Sequence, residues 1–200
     1  MSGFFILDLE TLGIESNCVC LSAAMLWVDP EQLPEDNQEA YEYLLKQGVF
    51  VKLNAKQQVT ELFKGRTVAK NVLEWWEKQA EVVQRASFIP DKERDLDCLV
   101  AINKIKGFFE SKPDHKKACV WVRGSLDQPV LESLLRSYDV EPFIGYNNYR
   151  DVRTAIDLIY PDTSNAGYVD VPDFEVGSVI KHHPTHDCAY DGLMLLRGKQ

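Results

Sequence analysis

The stretch "GFFILDLETLG", residues 3–13, constrains the fold more tightly than any other part of the chain. Phe4 to Leu7 read as a buried strand, yet the run closes on two acids, Asp8 and Glu10, one residue apart. Side chains two apart on a strand share a face, so both carboxylates occupy one patch at the strand's end. Bare anions at the edge of a core repel, and confining them there costs several kcal/mol unless a cation lies between them. A divalent metal is the most economical cation for the purpose. The alternative is the polar edge of an ordinary strand entering a turn at Thr11 to Gly13. Both readings stand on this stretch alone.

Two hundred residues, 45% of them hydrophobic, are ample for a packed core, and the expectation is one domain over residues 1–200. The opening residues show no basic stretch followed by an apolar signal region, and no apolar run approaches the roughly 20 residues that span a bilayer. A cytoplasmic protein is therefore expected. Cys18, Cys20, Cys98, Cys119 and Cys188 make an odd number with no C-x-x-C pair, as for buried reduced thiols rather than a disulfide framework or structural zinc. The net charge of −9 argues against broad attraction to nucleic acid, although metal ions and local patches can invert the sign where it matters. Residues 51–70 are such a patch in sequence: Lys52, Lys56, Lys64, Arg66 and Lys70 stand against the single acid Glu61. A solvated helix face with a basic loop explains them equally.

Residues 3–9, 18–28 and 48–54 read as strands, close enough in sequence for an antiparallel meander. An acidic, proline-containing segment separates the second from the third, extended at first and helical later. From about 55 to 111 the periodicity turns helical, with a break at "SFIPD". Trp75 and Trp76 fall there, either as a stacking platform for bases or as core. Residues 117–124 return to strand, and "SLDQPVLESLLRSYDV" and "YRDVRTAIDLIY" read as helices. Residues 161–185 read as loop, and a last helix is expected over about 187–197. The pattern indicates an α/β sheet flanked by helices.

Asp127 stands at the head of the helix after the fourth strand read here. It serves either as a cap and dipole partner or, leaning toward the first strand, as a metal ligand. In "HHPTHDCAYDGLMLL" (residues 182–196), Asp187 and Asp191 are four apart and share a helical face. His186 and Asp191 are five apart, about 140° around the axis, and converge only if His186 precedes the regular helix. A histidine on such a loop edge titrates near neutrality, as a general base must.

Together these residues resemble the DEDDh class of 3′-to-5′ exonucleases with the ribonuclease H-like fold. Its three motifs occur in order: acid–x–acid followed by Thr ("DLETLG"), an acid early in a later helix ("GSLDQPVL"), and His, four residues, Asp ("HDCAYD"). The segments "LEWWEKQ", "WVRGSLDQPVL" and "YRDVRT" are similar to the tailed-phage exodeoxyribonuclease A branch and related bacterial exoribonucleases. The resemblance implies a mixed sheet, its first three strands antiparallel and later ones parallel, flanked by helices. It implies that Asp8, Glu10, Asp127 and Asp191 hold two Mg²⁺ or Mn²⁺ ions and that His186 is the general base. Thr11 and Leu12 would meet the terminal nucleotide. Arg123, Arg150 and Arg153, with Lys52 and Lys56 of the basic stretch, are the candidate contacts to the phosphates.

The expected activity is 3′–5′ hydrolysis of single-stranded DNA to mononucleotides, in host cytoplasm if the protein is phage-encoded. An exoribonuclease on the same fold is the alternative. An HD-type phosphohydrolase, prompted by His186–Asp187, and a non-catalytic nucleic-acid-binding subunit are the rivals.

Overall fold

A computed structural model describes residues 3–60, 65–161 and 167–199. Strand β1 (Phe4–Thr11) pairs antiparallel with β2 (Cys20–Val28). Helix α1 (Asn37–Leu44) follows, and β3 (Gly48–Leu53) then pairs antiparallel with β2. Two short helices, α2 (Ala55–Thr60) and α3 (Lys70–Trp76), lead to α4 (Glu81–Val83), which widens into a π-helical turn over Gln84–Phe88. Next come β4 (Asp95–Leu96), α5 (Cys98–Glu110), β5 (Val120–Val122), α6 (Asp127–Ser137) and β6 (Tyr149–Asp151). Helices α7 (Val152–Ile159) and α8 (Pro184–Arg197) complete the order. The sheet runs β4-β3-β2-β1-β5-β6, with β5 parallel to β1 and β6 parallel to β5. This is the mixed sheet, antiparallel first and parallel later, that the resemblance implied. Its strand content also removes the helical HD-type rival.

Strand parity decides what faces what. Phe5, Leu7 and Leu9 point into the core shared with α5 and α6. Phe4 and Ile6 point to the opposite face, into the core shared with α1, α7 and α8. Asp8 and Glu10 continue this even-numbered set, so they emerge on the face that carries α8. The pairing with β2 shifts register between Glu10 and Thr11, a bulge that ends the regular strand just past the second acid. Helix α8 lies close to the sheet because Gly192 has no side chain: a Cβ there would sit 3.1 Å from Ile6 Cδ1 and 3.4 Å from Leu44 Cδ1.

Three expectations are corrected. Strands β4 and β6 lie in stretches that read as helical, because two or three residues are too few to display alternation. Helix α8 begins at Pro184, not near residue 187. Proline is at home in a helix's first turn, where its missing N–H has no partner to lose. The described residues of the basic stretch 51–70 do not form a patch. Lys52 is 3% exposed and donates to the carbonyls of Arg85 and Ile89 while pairing with Asp95; Arg66 is 4% exposed and donates to Cys18 O, Ser16 O, Ser133 and Ser137. Lys56 is exposed on α2, and Lys64 lies outside the described residues.

Candidate active site

Beyond the end of β1, the strand, the head of α6 and the first turns of α8 enclose a cleft of about 990 Å³. Asp8, Glu10, Asp127 and Asp191 all line it, together with a fifth carboxylate, Asp187. Each arrives by a different local rule. Parity supplies Asp8 and Glu10. Asp127 occupies the first turn of α6, but its Oδ1 accepts from Leu9 N at 3.3 Å, so the side chain reaches back across to β1 instead of capping its own helix. Asp191 and Asp187 share one face of α8, four residues apart, and α8 packs on β1 and β2.

This gathering is electrostatically costly without cations. Burial, then the charges of Asp127 and Glu10, hold the Asp8 carboxyl well above the usual carboxylate range. Glu10 is raised by burial and by Asp187. Burial is the leading cause for Asp127, pushed up to about 7, and for Asp187, also about 7, with Asp191 adding repulsion to both. Asp8 Oδ2 is buried without a hydrogen-bond partner. Among the described residues, Asp191 alone of these carboxylates is ion-paired: Arg123 grips it with Nε at 2.9 Å and Nη2 at 2.5 Å from Oδ1. Arg123 also donates to Gly167 O at 2.8 Å and lies 4.2 Å from the centre of the Tyr168 ring. Four clustered carboxylates, one with an orphaned oxygen, fit hard divalent cations: oxygen donors match Mg²⁺ or Mn²⁺, and the ions would remove the repulsion.

His186 does not line the cleft. Because α8 begins at Pro184, His186 is inside the helix, on a different side from Asp191. Its Nδ1 lies 2.6 Å from the Tyr41 hydroxyl, and its ring stands edge-to-face with His183 at 4.9 Å. Burial lowers its pKa. The histidine that does line the cleft is His182, on the loop before α8.

The candidate substrate contacts scatter. Thr11 and Leu12 are 8% and 7% exposed. Their main-chain and hydroxyl groups are committed: Thr11 Oγ1 donates to Gly13 O, Thr11 O accepts from Trp76 Nε1, and Leu12 N donates to Val19 O. Arg123 is engaged by Asp191. Arg150 is exposed on β6, its guanidinium turned to the carbonyls of Asn147 and Tyr149. Arg153 lines the cleft, and so do Lys181 and Lys199, which the sequence reading did not single out. Trp76 is core, whereas Trp75 is 39% exposed and packs edge-on to His182 at 4.8 Å.

A mixed sheet of this order, with acids from both ends and the middle of the chain beside its central strand, defines a ribonuclease H-like α/β domain of the nuclease type. The profile of the 3′-5′ exoribonuclease Rv2179c-like domain matches residues 4–194, and the chain belongs to that family. Among solved structures, it is similar to Escherichia coli exonuclease I in complex with a dT13 oligonucleotide: 12% identity, TM-score 0.56, 98% of this chain and 40% of that one. It is also similar to a moderately thermophilic exonuclease I from Methylocaldum szegediense: 16% identity, TM-score 0.51, 86% of this chain and 32% of the other. The chain thus spans between about a third and two fifths of the length of these larger proteins. No curated protein matches it.

Proposed function

We propose that this protein is a metal-dependent 3′–5′ exonuclease that releases nucleotides from the free 3′ end of a single strand. One observation carries the reading: Asp8, Glu10, Asp127 and Asp191 meet in one cleft with Asp8 Oδ2 left without a partner. These four residues would hold two divalent ions. When bound, such ions activate water and stabilise the departing oxygen of a phosphodiester. The residues of the chain itself do the positioning. Buried β1 fixes Asp8 and Glu10, Leu9 N fixes Asp127, and Arg153 and Lys181 give a cationic wall to a phosphate entering an otherwise anionic cleft. The resemblance gives the base role to His186. To fill it, the ring must exchange its bond to Tyr41 for one to the attacking water.

RNA is the favoured substrate, because the family description covering almost the whole chain is that of an exoribonuclease. A second reading, single-stranded DNA, is supported by the oligonucleotide-bound exonuclease I neighbours and by the likeness to the phage branch. The sugar 2′-hydroxyl is what the site must accept or refuse. Incubating 3′- and 5′-labelled RNA and DNA strands with Mg²⁺ or with a chelator tests the whole reading. Stepwise release from the 3′ end, faster on RNA and abolished by chelation, is the expected result. Cleavage from the 5′ end, or turnover without metal, overturns it.

A further inference from the structure

We propose that Glu10, His182 and Asp187 form a separate site for a transition-metal ion at the cleft, one that takes Zn²⁺ or Co²⁺ in preference to Mg²⁺. The site rests on the nuclease reading only in sharing Glu10 with the proposed carboxylate pair. One donor atom from each of the three residues lies within 4.8 Å of the other two. An ion about 2.0–2.2 Å from each donor needs them roughly 3–3.5 Å apart, a contraction that small side-chain rotations supply.

The local structure aims these groups at one another. His182 is held at φ 62°, in the left-handed region that a non-glycine residue seldom adopts, and this turns the chain just before α8 so that the ring enters the cleft. Asp187 accepts a hydrogen bond from the His182 backbone, tying two of the three ligands together. Trp75 abuts the imidazole edge-to-face at 4.8 Å and limits its rotation. Among the described residues, neither ring nitrogen of His182 makes a hydrogen bond. The same cleft shows why a cation is wanted beside these ligands: Glu10 and Asp187 both add to the negative field at the buried Asp8 carboxylate, whose Oδ2 has no hydrogen-bond partner.

The donor set decides the metal. Imidazole nitrogen suits zinc and the later first-row divalent ions such as cobalt, whereas Mg²⁺ demands oxygen and keeps its waters. Three protein ligands leave open positions, as in exchangeable sites, unlike the closed four-ligand structural kind. An ion here engages Glu10, so its binding and that of Mg²⁺ at the carboxylate pair oppose each other reciprocally.

Titrating Co²⁺ into the 200-residue chain, read by visible d–d absorption and by calorimetry with Zn²⁺, tests the site. His182→Asn is the variant of choice, because asparagine tolerates positive φ and preserves the turn; Asp187→Asn is the second. The expected result is a Co²⁺ band in the parent that weakens by at least ~10-fold in affinity in either variant, with the Mg²⁺ isotherm retained. Unchanged Co²⁺ and Zn²⁺ binding in both folded variants overturns the proposal, as does a parent protein without the band. A His182-dependent band in a protein that neither binds Mg²⁺ nor cuts strands upholds this site and sinks the nuclease reading alone.

Discussion

Two regions of this molecule bury charge, and they do it in opposite ways. Around Lys52 and Arg66 every buried cation is answered: Lys52 by Asp95 and two carbonyls, Arg66 by two carbonyls and two serine hydroxyls. In the cleft, carboxylates are packed against carboxylates, and among the described residues only Asp191 is ion-paired. The first region is closed electrostatically and reads as a staple that holds the turn between β1 and β2 onto α6. The second is open and reads as a place waiting for ligand. Buried charge by itself is thus no marker of function; what separates the regions is whether the protein has already supplied the partner.

The largest expected break in that contrast is Asp8→Asn. It should remove several kcal/mol of transition-state stabilisation, ~10³-fold or more in Mg²⁺-dependent nucleotide release, while raising the melting temperature of the metal-free protein above neutral pH. A fall in melting temperature would mean that Asp8 is a structural ligand instead. Lys52→Ala should do the reverse. Leaving Asp95 without its partner should cost ~3–5 kcal/mol in urea unfolding, with the Mg²⁺ isotherm of the folded protein unchanged.

Between about pH 4 and 7 the metal-free protein should lose stability, because Asp127 and Asp187, their pKa values raised to about 7, stay protonated in the fold while the unfolded chain has already ionised. Mg²⁺ should close the gap, most at the higher pH, because ligands must be deprotonated to bind; melting curves with and without chelator check this. A smaller effect is expected from Arg123→Gln. Without the guanidinium competing for Asp191, the Mg²⁺ half-saturation should fall several-fold while the metal-free melting temperature drops, both measurable by thermal shift. The smallest concerns Lys56. Neutralising it should change the salt slope of substrate binding by less than about one unit, since it does not line the cleft.

Much of this was legible in the sequence, for reasons particular residues make clear. Alternation along Phe4–Glu10 fixes the face on which both acids emerge, and long amphipathic runs such as Cys98–Glu110 declare themselves by period. Order along the chain, strands first and strand–helix units later, gave the sheet's character. What period could not show is where a short element begins. Tyr149–Asp151 carries too little pattern to be seen as a strand, and the start of α8 hinged on Pro184, which moved His186 into the helix. Nor does a run of basic residues say which way each side chain turns. Lys52 sits at a strand position whose neighbours close over it, and Arg66 is claimed by serines of α6 more than 60 residues away. Of the cleft's cationic wall only Arg153 was among the candidates; Lys181 and Lys199 come from separate segments and carry no signal that would join them to it. His182 gave no periodic signal at all; only its backbone conformation turns it inward.

The bare α-carbon of Gly192 acts as a depth gauge. Its neighbour Asp191 hangs from the same turn of α8, so the spacing between that helix and Ile6 sets how far the carboxylate is lowered toward β1. A single methyl group at this position asks the side-chain ends of Ile6 and Leu44 to give by tenths of an ångström, and as far as they hold, the helix rises and carries Asp191 with it. Tolerance to mutation at this point of the fold therefore depends on a residue with nothing to contribute but the room it leaves.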